Sequence, residues 1–361
     1  MNVVYIAETS LTNKSAYSQH VIKMCDAFAQ NGFDLTLIVP NEKKNLSFYK
    51  LKKKFLLRGK KAFLIKSVLN TRIHNFYTRL KFAIRASNLA RNKKPDLIIT
   101  RSPLTSFCLS ILKIYHFLEI HHELKSLTKF LLIYLNFINS KYIKRIILIS
   151  SALKKKLSLD NKKILVLHDG VDIKNFKIAN KIKKIKAVTY VGSFYSGRGI
   201  EIIKYLASKF KNINFRLYGS KKIISKKFKK NIRFLGHVDY NKVPDILAKS
   251  DVLLMPYANK VFVKAKNLNT ANYCSPLKMF DYLAAGKIIL SSKLDGICEV
   301  LKHKKNAIII KEYTLDDWSE TFNDLLKHKY NLIKIQNGSI KTAKQYSWNQ
   351  RVLKIMKANK T

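Results

Sequence analysis

The sequence predicts an α/β protein built as two doubly wound domains, with the natural ligand site in the cleft between them. Three observations carry this. Short, wholly apolar runs of strand length recur along the chain and alternate with stretches of helical periodicity, the pattern of parallel strands joined by crossover helices. The series breaks at a polar, Lys-rich stretch over 174–186 and then begins again. At 361 residues and 47% hydrophobic composition, the chain exceeds one core and can bury two. The expected boundaries are 1–173, 174–340 and a C-terminal helical segment, 341–361, that packs back toward the first domain.

In order, residues 3–7 read as a buried strand and 8–15 as a polar loop. Residues 17–31 read as an amphipathic helix with Val21, Met24, Cys25 and Phe28 on one face and Gly32 past its end. A strand over 35–39 stops at Pro40, which completes a strand-helix-strand unit. Residues 41–92 are basic and helical in pattern. Within them, 48–66 mixes Lys and Arg with Phe, Leu and Ile, which suits either a helix lying on an anionic membrane or a solvated basic face. Strands follow at 96–100, 116–120, 145–149 and 164–167. In the second series, strands are expected at 187–191, 215–218, 232–235, 252–255 and 288–291, with helices at 199–210, 243–249 and 348–357.

The most informative segment is Ser275-Pro276-Leu277-Lys278-Met279-Phe280-Asp281-Tyr282-Leu283-Ala284-Ala285-Gly286. Ser275 suits an N-cap, Pro276 the first helical position and Gly286 a left-handed stop. Such a helix offers N–H groups and its dipole to an anion, most naturally a phosphate, and Lys278 adds a charge in the first turn. Asp281 lies one turn beyond Leu277, about 6 Å along the axis at ~1.5 Å per residue, the span from a diphosphate to a ribose. The plainer reading is a capped helix that packs Leu277, Phe280, Leu283 and Ala284 into a core.

A net charge of +48 points to phosphate, nucleic acid or anionic membrane, or to a Lys-rich compositional bias, since the basic residues are spread along the chain. No zinc finger or aromatic RNA-binding strand pair is present, so nucleic acid is not an expected partner. Cys25, Cys108, Cys274 and Cys298 lack metal-ligand spacing and read as buried free thiols in a reducing cytoplasm. No signal peptide or run long enough to span a membrane is evident, so the expected localisation is cytoplasmic, with peripheral attachment to the inner membrane face.

Six pieces of sequence in order now resemble the GT-B-fold retaining glycosyltransferases of family 4 (glycosyl transferases group 1). They are His168-Asp169-Gly170-Val171-Asp172 with Phe176; Tyr190-Val191-Gly192-Ser193-Phe194 with Arg198-Gly199-Ile200; Leu217-Tyr218-Gly219; Phe234-Leu235-Gly236-His237-Val238; Ser250-Asp251-Val252-Leu253-Leu254-Met255-Pro256-Tyr257; and the segment from Ser275 to Gly286. The resemblance implies two Rossmann-like domains, an acceptor-binding one followed by one that binds a nucleotide sugar. It implies that Asp281 binds the donor ribose, and that Ser275, Leu277, Lys278 and Arg198 hold the donor diphosphate. Gly192, Gly219, His237 and Val238 then line the nucleotide, and His121 is the catalytic residue beside the donor sugar. The chain departs from the family pattern in carrying Asp281 where Glu is usual, Tyr273 where another Glu is frequent, and no basic residue around Ser193. Asn13-Lys14-Ser15-Ala16-Tyr17 replaces a double glycine at the acceptor side.

The implied reaction moves a sugar from a nucleoside diphosphate to a hydroxyl of a glycan or lipid-linked acceptor, with retention and without a metal or other cofactor. The implied setting is bacterial cell-envelope polysaccharide or lipopolysaccharide synthesis. In Glu119-Ile120-His121-His122-Glu123, a strand would point the two histidines to opposite sides, and a structural histidine or a metal site are rival readings. Asp316 and Asp317 read as helix N-terminal charges. The competing functions are an epimerase-like sugar-nucleotide enzyme on the same fold and a catalytically degenerate protein that binds membrane or polyanion.

Overall fold

A computed structural model describes residues 1–13, 15–42, 46–124, 126–159, 162–177, 180–219, 230–261 and 269–360. Lys14 of the N-terminal loop, 43–45 of the basic segment and 178–179 of the expected linker lie outside them. The chain divides into two compact units. The first comprises Met1–Ile149, Leu153–His168 and Trp348–Thr361, and the second Ser150–Ala152 and Asp169–Ser347.

The first part of the chain runs β1 (Asn2–Ile6), α1 (Ala16–Gln30), β2 (Asp34–Val39), α2 (Phe48–Phe55), β3 (Leu64–Ser67), α3 (Phe76–Asn92), β4 (Leu97–Thr100), α4 (Pro103–Ile111), β5 (His116–Ile120), α5 (Ser126–Lys129), β6 (Ile143–Leu148), α6 (Ser151–Leu157) and β7 (Ile164–Val166). The seven strands form one sheet in the order β3-β2-β1-β4-β5-β6-β7. All its pairs are parallel, as in Val3 opposite Leu35 on one side and Leu97 on the other. Parallel strands are covered on both faces, which is why their sequences are continuously apolar: β4 and β5 are buried at every position. Ser15 caps α1 by accepting the Ser18 N–H.

The basic segment differs from its helical reading. Phe48–Phe55 and Phe76–Asn92 are helical, as read, but Leu64–Ser67 between them joins the sheet as an edge strand beside β2. Leu51, Phe55, Leu57 and Phe63 are buried, so the apolar residues expected to meet a lipid surface belong to the core. Hydrophobic spacing alone does not distinguish a stripe facing lipid from one facing protein.

The second part runs β8 (Ala187–Val191), α7 (Ile200–Lys209), β9 (Asn214–Tyr218), β10 (Ile232–Phe234), α8 (Val243–Ala248), β11 (Val252–Met255), α9 (Leu277–Ala284), β12 (Ile288–Ser292), α10 (Asp295–Cys298), β13 (Ile308–Ile310), α11 (Leu315–Leu326), α12 (Leu332–Gln345) and α13 (Trp348–Lys360). The sheet order is β10-β9-β8-β11-β12-β13, again parallel. Alternate residues feed opposite faces: Val252, Leu254, Ile288 and Leu290 join one core with Ile203, Phe215 and Trp318, whereas Leu253, Met255 and Ile289 join another with Phe280 and Leu283. In both sheets the strand order reverses about the first strand, between β1 and β4 and between β8 and β11. Ligands of doubly wound domains bind beyond the carboxyl ends of the strands at such points.

Asp316 and Asp317 occupy the first turn of α11, where Thr314 caps the Asp317 N–H. Cys25 and Cys108 are buried, while Cys274 and Cys298 are only partly so, and all four thiols are free.

Candidate active site

In the second unit, the reversal point gathers residues from four loops. Helix α9 begins one residue later than its sequence suggests: its N-cap is Pro276, and no side chain caps it. Ser275, expected as the cap, is buried just before it. Proline can stand at the cap because the extended φ it imposes (−73° here) is that of a cap residue. The helix ends as expected, with Gly286 left-handed at φ 61°. The phenol of Tyr282, on α9, accepts the Val191 N–H at 2.9 Å and so ties the helix to the end of β8.

The first turn of α9 carries Lys278, whose amine is buried and has no hydrogen-bond partner among the described residues. It lies 3.8 Å from the centroid of the Tyr190 ring and 4.8 Å from that of Tyr257. Arg198 also stands against this aromatic group, 4.9 Å from the Tyr257 centroid. Among the described residues no carboxylate pairs with either cation. Burial, and then the Arg198 charge, hold the Lys278 amine well below its usual range, so the full charge expected from the sequence is suppressed. Cation–π contact returns only about 1–2 kcal/mol to a desolvated cation, less than the cost of stripping its water. A bound anion would stabilise both groups.

Backbone space at this point is reserved by glycine. A Cβ on Gly192, at φ 154°, would come within 3.1 Å of the Lys278 amine. A Cβ on Gly219 would meet the Gly192 carbonyl at 2.2 Å. Asp281 is buried one turn further along α9, and its Oδ1 accepts the Tyr240 hydroxyl at 2.9 Å. His237 is exposed, 3.7 Å from Asp239, and Val238 packs at the edge of the core that includes Phe280. The structure therefore places Gly192, Arg198 and Lys278 around Tyr190 and Tyr257, Gly219 against Gly192, and Asp281 beside Tyr240. Nothing in the sequence marks Tyr190, Tyr240 or Tyr257 as site residues, since what brings them to the site is strand order.

In the first unit, His121 follows β5 with a mostly buried ring, whereas His122 is exposed. His121 Nε2 lies 2.7 Å from Oε1 of Glu119, a fully buried carboxylate. Tyr5 donates to the other oxygen at 2.6 Å, and Arg351 Nη2 donates to Oε1 at 2.6 Å. Burial first, then the Arg101 charge, lower the His121 pKa to about 3, whereas His20, Arg351 and the His121 hydrogen bond together hold Glu119 well below its usual range despite burial. The pair is therefore an ionised carboxylate and a neutral imidazole.

His20, Glu119 and His121 present one ligand atom each within 4.8 Å, which would be a metal-ligand set on residue type alone. The shared oxygen already receives the Arg351 guanidinium, so a divalent ion there would meet a fixed positive charge, and the cluster does not fit one.

The sequence matches two family models, one described as "Glycosyltransferase Family 4" over residues 18–175 and one as "Glycosyl transferases group 1" over 171–346. No curated relative matches it. Solved structures similar over nearly the whole chain include a glycosyltransferase from Rickettsia africae ESF-5, at TM-score 0.75 and 14% identity, covering 99% of this chain and 97% of the other. Another is Anabaena Alr3699/HepE in complex with UDP-glucose, at TM-score 0.69 and 14% identity, covering 99% and 100%. The lipopolysaccharide outer core galactosyltransferase WaaB in its apo form matches at 0.70 and 13%, covering 99% of both chains. With two parallel α/β sheets of reversed strand order and both family models in register over residues 18–346, the chain belongs to the GT-B glycosyltransferases of family 4, glycosyl transferases group 1.

Proposed function

We propose that this glycosyltransferase moves a sugar from a nucleoside diphosphate to an acceptor hydroxyl with retention of configuration and without a bound metal. The observation that carries this is a pair of buried basic side chains, Arg198 and Lys278, that meet at the Tyr257 ring beside the first turn of α9 and have no carboxylate partner among the described residues. Charge develops on the diphosphate as the glycosidic bond breaks, and fixed donors in a dry site stabilise it most effectively. Arg198 offers a planar fork to phosphate oxygens and Lys278 a point charge. Ser275 and the Leu277 and Lys278 N–H groups, which have no carbonyl one turn earlier in the helix, complete the diphosphate site. Asp281 takes the ribose hydroxyls, exchanging its bond to Tyr240, and Gly192, Gly219, His237 and Val238 line the nucleotide. His121 is the catalytic residue in this reading.

One structural neighbour, Anabaena HepE, is in complex with UDP-glucose, and another, WaaB, is an outer-core galactosyltransferase of lipopolysaccharide. These support a nucleotide-sugar donor and a role in bacterial cell-envelope polysaccharide or lipopolysaccharide synthesis, on a glycan or lipid-linked acceptor. No described helix is long and apolar enough to cross a membrane. Peripheral attachment would rest on exposed Tyr49, Phe76 and Tyr77 together with the basic surface. Retention on anionic but not neutral vesicles, lost at high salt, is the expected behaviour.

The test is a thermal-shift screen of nucleoside diphosphates and their sugars with EDTA present, in the native protein and in Asp281→Ala. A ligand at 100 times its Kd stabilises by about 2.7 kcal/mol. A nucleotide-specific shift that the substitution abolishes supports the reading. No shift with any nucleotide would sink it and leave the degenerate binding protein.

A further inference from the structure

The buried cluster in the first unit contains more than His121 needs for packing. Glu119 is fully buried, its carboxyl is held below the usual carboxylate range, and it receives three hydrogen bonds, from His121 and Arg351 on Oε1 and from the Tyr5 hydroxyl on Oε2, with His20 Nε2 also 3.0 Å from Oε1. Arg351 is 3% exposed in its side chain and comes from α13, more than two hundred residues away in sequence. Its other terminal nitrogen donates to the carbonyls of Leu167 and His168, at 2.6 Å for the latter. Trp348 lies one turn before Arg351 on the same helix face. Its ring meets the edge of His20 at 5.2 Å, and His20 in turn meets His121 edge-on at 4.6 Å. One turn of α13 thus secures both neighbours of the His121 ring.

An ionised carboxylate can only accept hydrogen bonds. The proton between His121 and Glu119 must therefore sit on Nε2, which leaves Nδ1 of the neutral ring as an acceptor. A guanidinium keeps a buried carboxylate ionised, since it offers a fixed opposite charge at hydrogen-bond distance. Without Arg351, Glu119 would tend to take up a proton and the tautomer of His121 would no longer be dictated.

We propose that Glu119 is a positioning residue for His121 and that Arg351, supplied by the C-terminal helix α13, is the cation that holds Glu119 ionised, so that His121 is locked as the tautomer protonated on Nε2 with Nδ1 as its working acceptor. This rests on the reading of His121 as the catalytic residue. The C-terminal helix is then part of the catalytic machinery by way of charge, and not only a packing element.

The experiment labels the histidine rings with nitrogen-15 and assigns His121 in the full-length protein by comparison with His121→Ala. The expected native spectrum shows Nε2 protonated and Nδ1 bare, unchanged from pH 6 to 8. A native ring protonated on Nδ1 overturns the proposal whatever the activities are. Glu119→Gln and the double variant Glu119→Gln/Arg351→Met, which removes both charges together, are then compared with native protein for donor KM and kcat. The expectation is a kcat at least tenfold lower, a donor KM within twofold, and a His121 signal shared between tautomers, whereas Arg351→Lys alone, which keeps Glu119 and a positive charge beside it, retains most of kcat. Native kcat and tautomer in both variants, with His121→Ala inactive, would overturn the positioning role. Full activity in His121→Ala would instead overturn the catalytic reading, and the native tautomer would still decide whether Glu119 locks the ring.

Discussion

The amine of Lys278 sits 3.8 Å from the centroid of the Tyr190 ring, buried and without a hydrogen-bond acceptor among the described residues. A cation placed this way costs the free protein stability and is favoured only when an anion arrives. Replacing it by methionine, which matches the stem and removes the charge, should raise the Tm of the ligand-free protein and weaken nucleoside diphosphate binding at least tenfold. Calorimetry on both proteins checks the trade. A variant that loses stability and keeps affinity would contradict it.

Lys278 also predicts a proton linkage. Its pKa in the folded protein is lowered well below the ordinary lysine value by burial and then by Arg198. The unfolded chain therefore binds more protons than the folded one between the two values, and stability rises with pH across that window. A bound diphosphate restores the charged form, so binding should take up a proton and weaken as pH rises. Titrations with uridine diphosphate at pH 8, where its phosphates are fully ionised, in two buffers of different ionisation heat, should show uptake in the native protein and none in Lys278→Met.

Asp281 and Tyr240 share a 2.9 Å hydrogen bond in the ligand-free site. If Asp281 serves the ribose, Asp281→Asn should weaken nucleoside diphosphates by about tenfold while leaving inorganic pyrophosphate within twofold. Equal losses for both ligands would move Asp281 to the phosphate end. Tyr240→Phe removes one bond that competes for the carboxylate and should tighten nucleotide binding slightly, as such a bond is worth about 1 kcal/mol.

Gly219 has no room for a side chain, because a Cβ would stand 2.2 Å from the Gly192 carbonyl and 2.6 Å from the Phe194 ring. Gly219→Ala should cost about 1–3 kcal/mol and displace the Gly192 turn away from Lys278, lowering nucleotide affinity as well. Gly32 is the contrast: it is left-handed at φ 83° with nothing within 4 Å of a Cβ. Gly32→Ala should cost about 1 kcal/mol and leave nucleotide affinity unchanged. Denaturant midpoints paired with nucleotide titrations separate the two.

His116 gives the first unit an acid limit. Its Nδ1 faces the Ile114 carbonyl at 2.9 Å and its Nε2 the Ser106 hydroxyl at 2.7 Å, so a neutral ring satisfies both. Burial lowers its pKa to about 4. The unfolded state then binds the extra proton between about pH 6.5 and 4, and stability falls as pH drops through that window, by up to about 1.4 kcal/mol per pH unit. His116→Gln should flatten the slope of urea stability against pH by about one proton. An unchanged slope would mean that the ring is charged in the folded protein.

Much of this protein is determined by local sequence. Continuous apolar strands such as 252–255 can only be covered on both faces, and their alternation with amphipathic helices leaves a doubly wound sheet as the packing that buries them all. The α9 segment was legible for the same reason: its proline, lysine, aspartate and glycine act within one or two turns, and local geometry dictates what each can do. What tertiary structure alone decided depends on residues far apart in the chain. The stripe at Leu51 and Phe55 reads equally well as lipid-facing or core, and only its burial in the folded first unit shows it to be core. Tyr190 and Tyr257 look like ordinary strand-end aromatics until strand order brings them under Lys278 and Arg198. Glu119 and Arg351 carry no mark of partnership, because a buried charge is tolerable only beside its counterion, and folding alone brings the C-terminal helix to that strand.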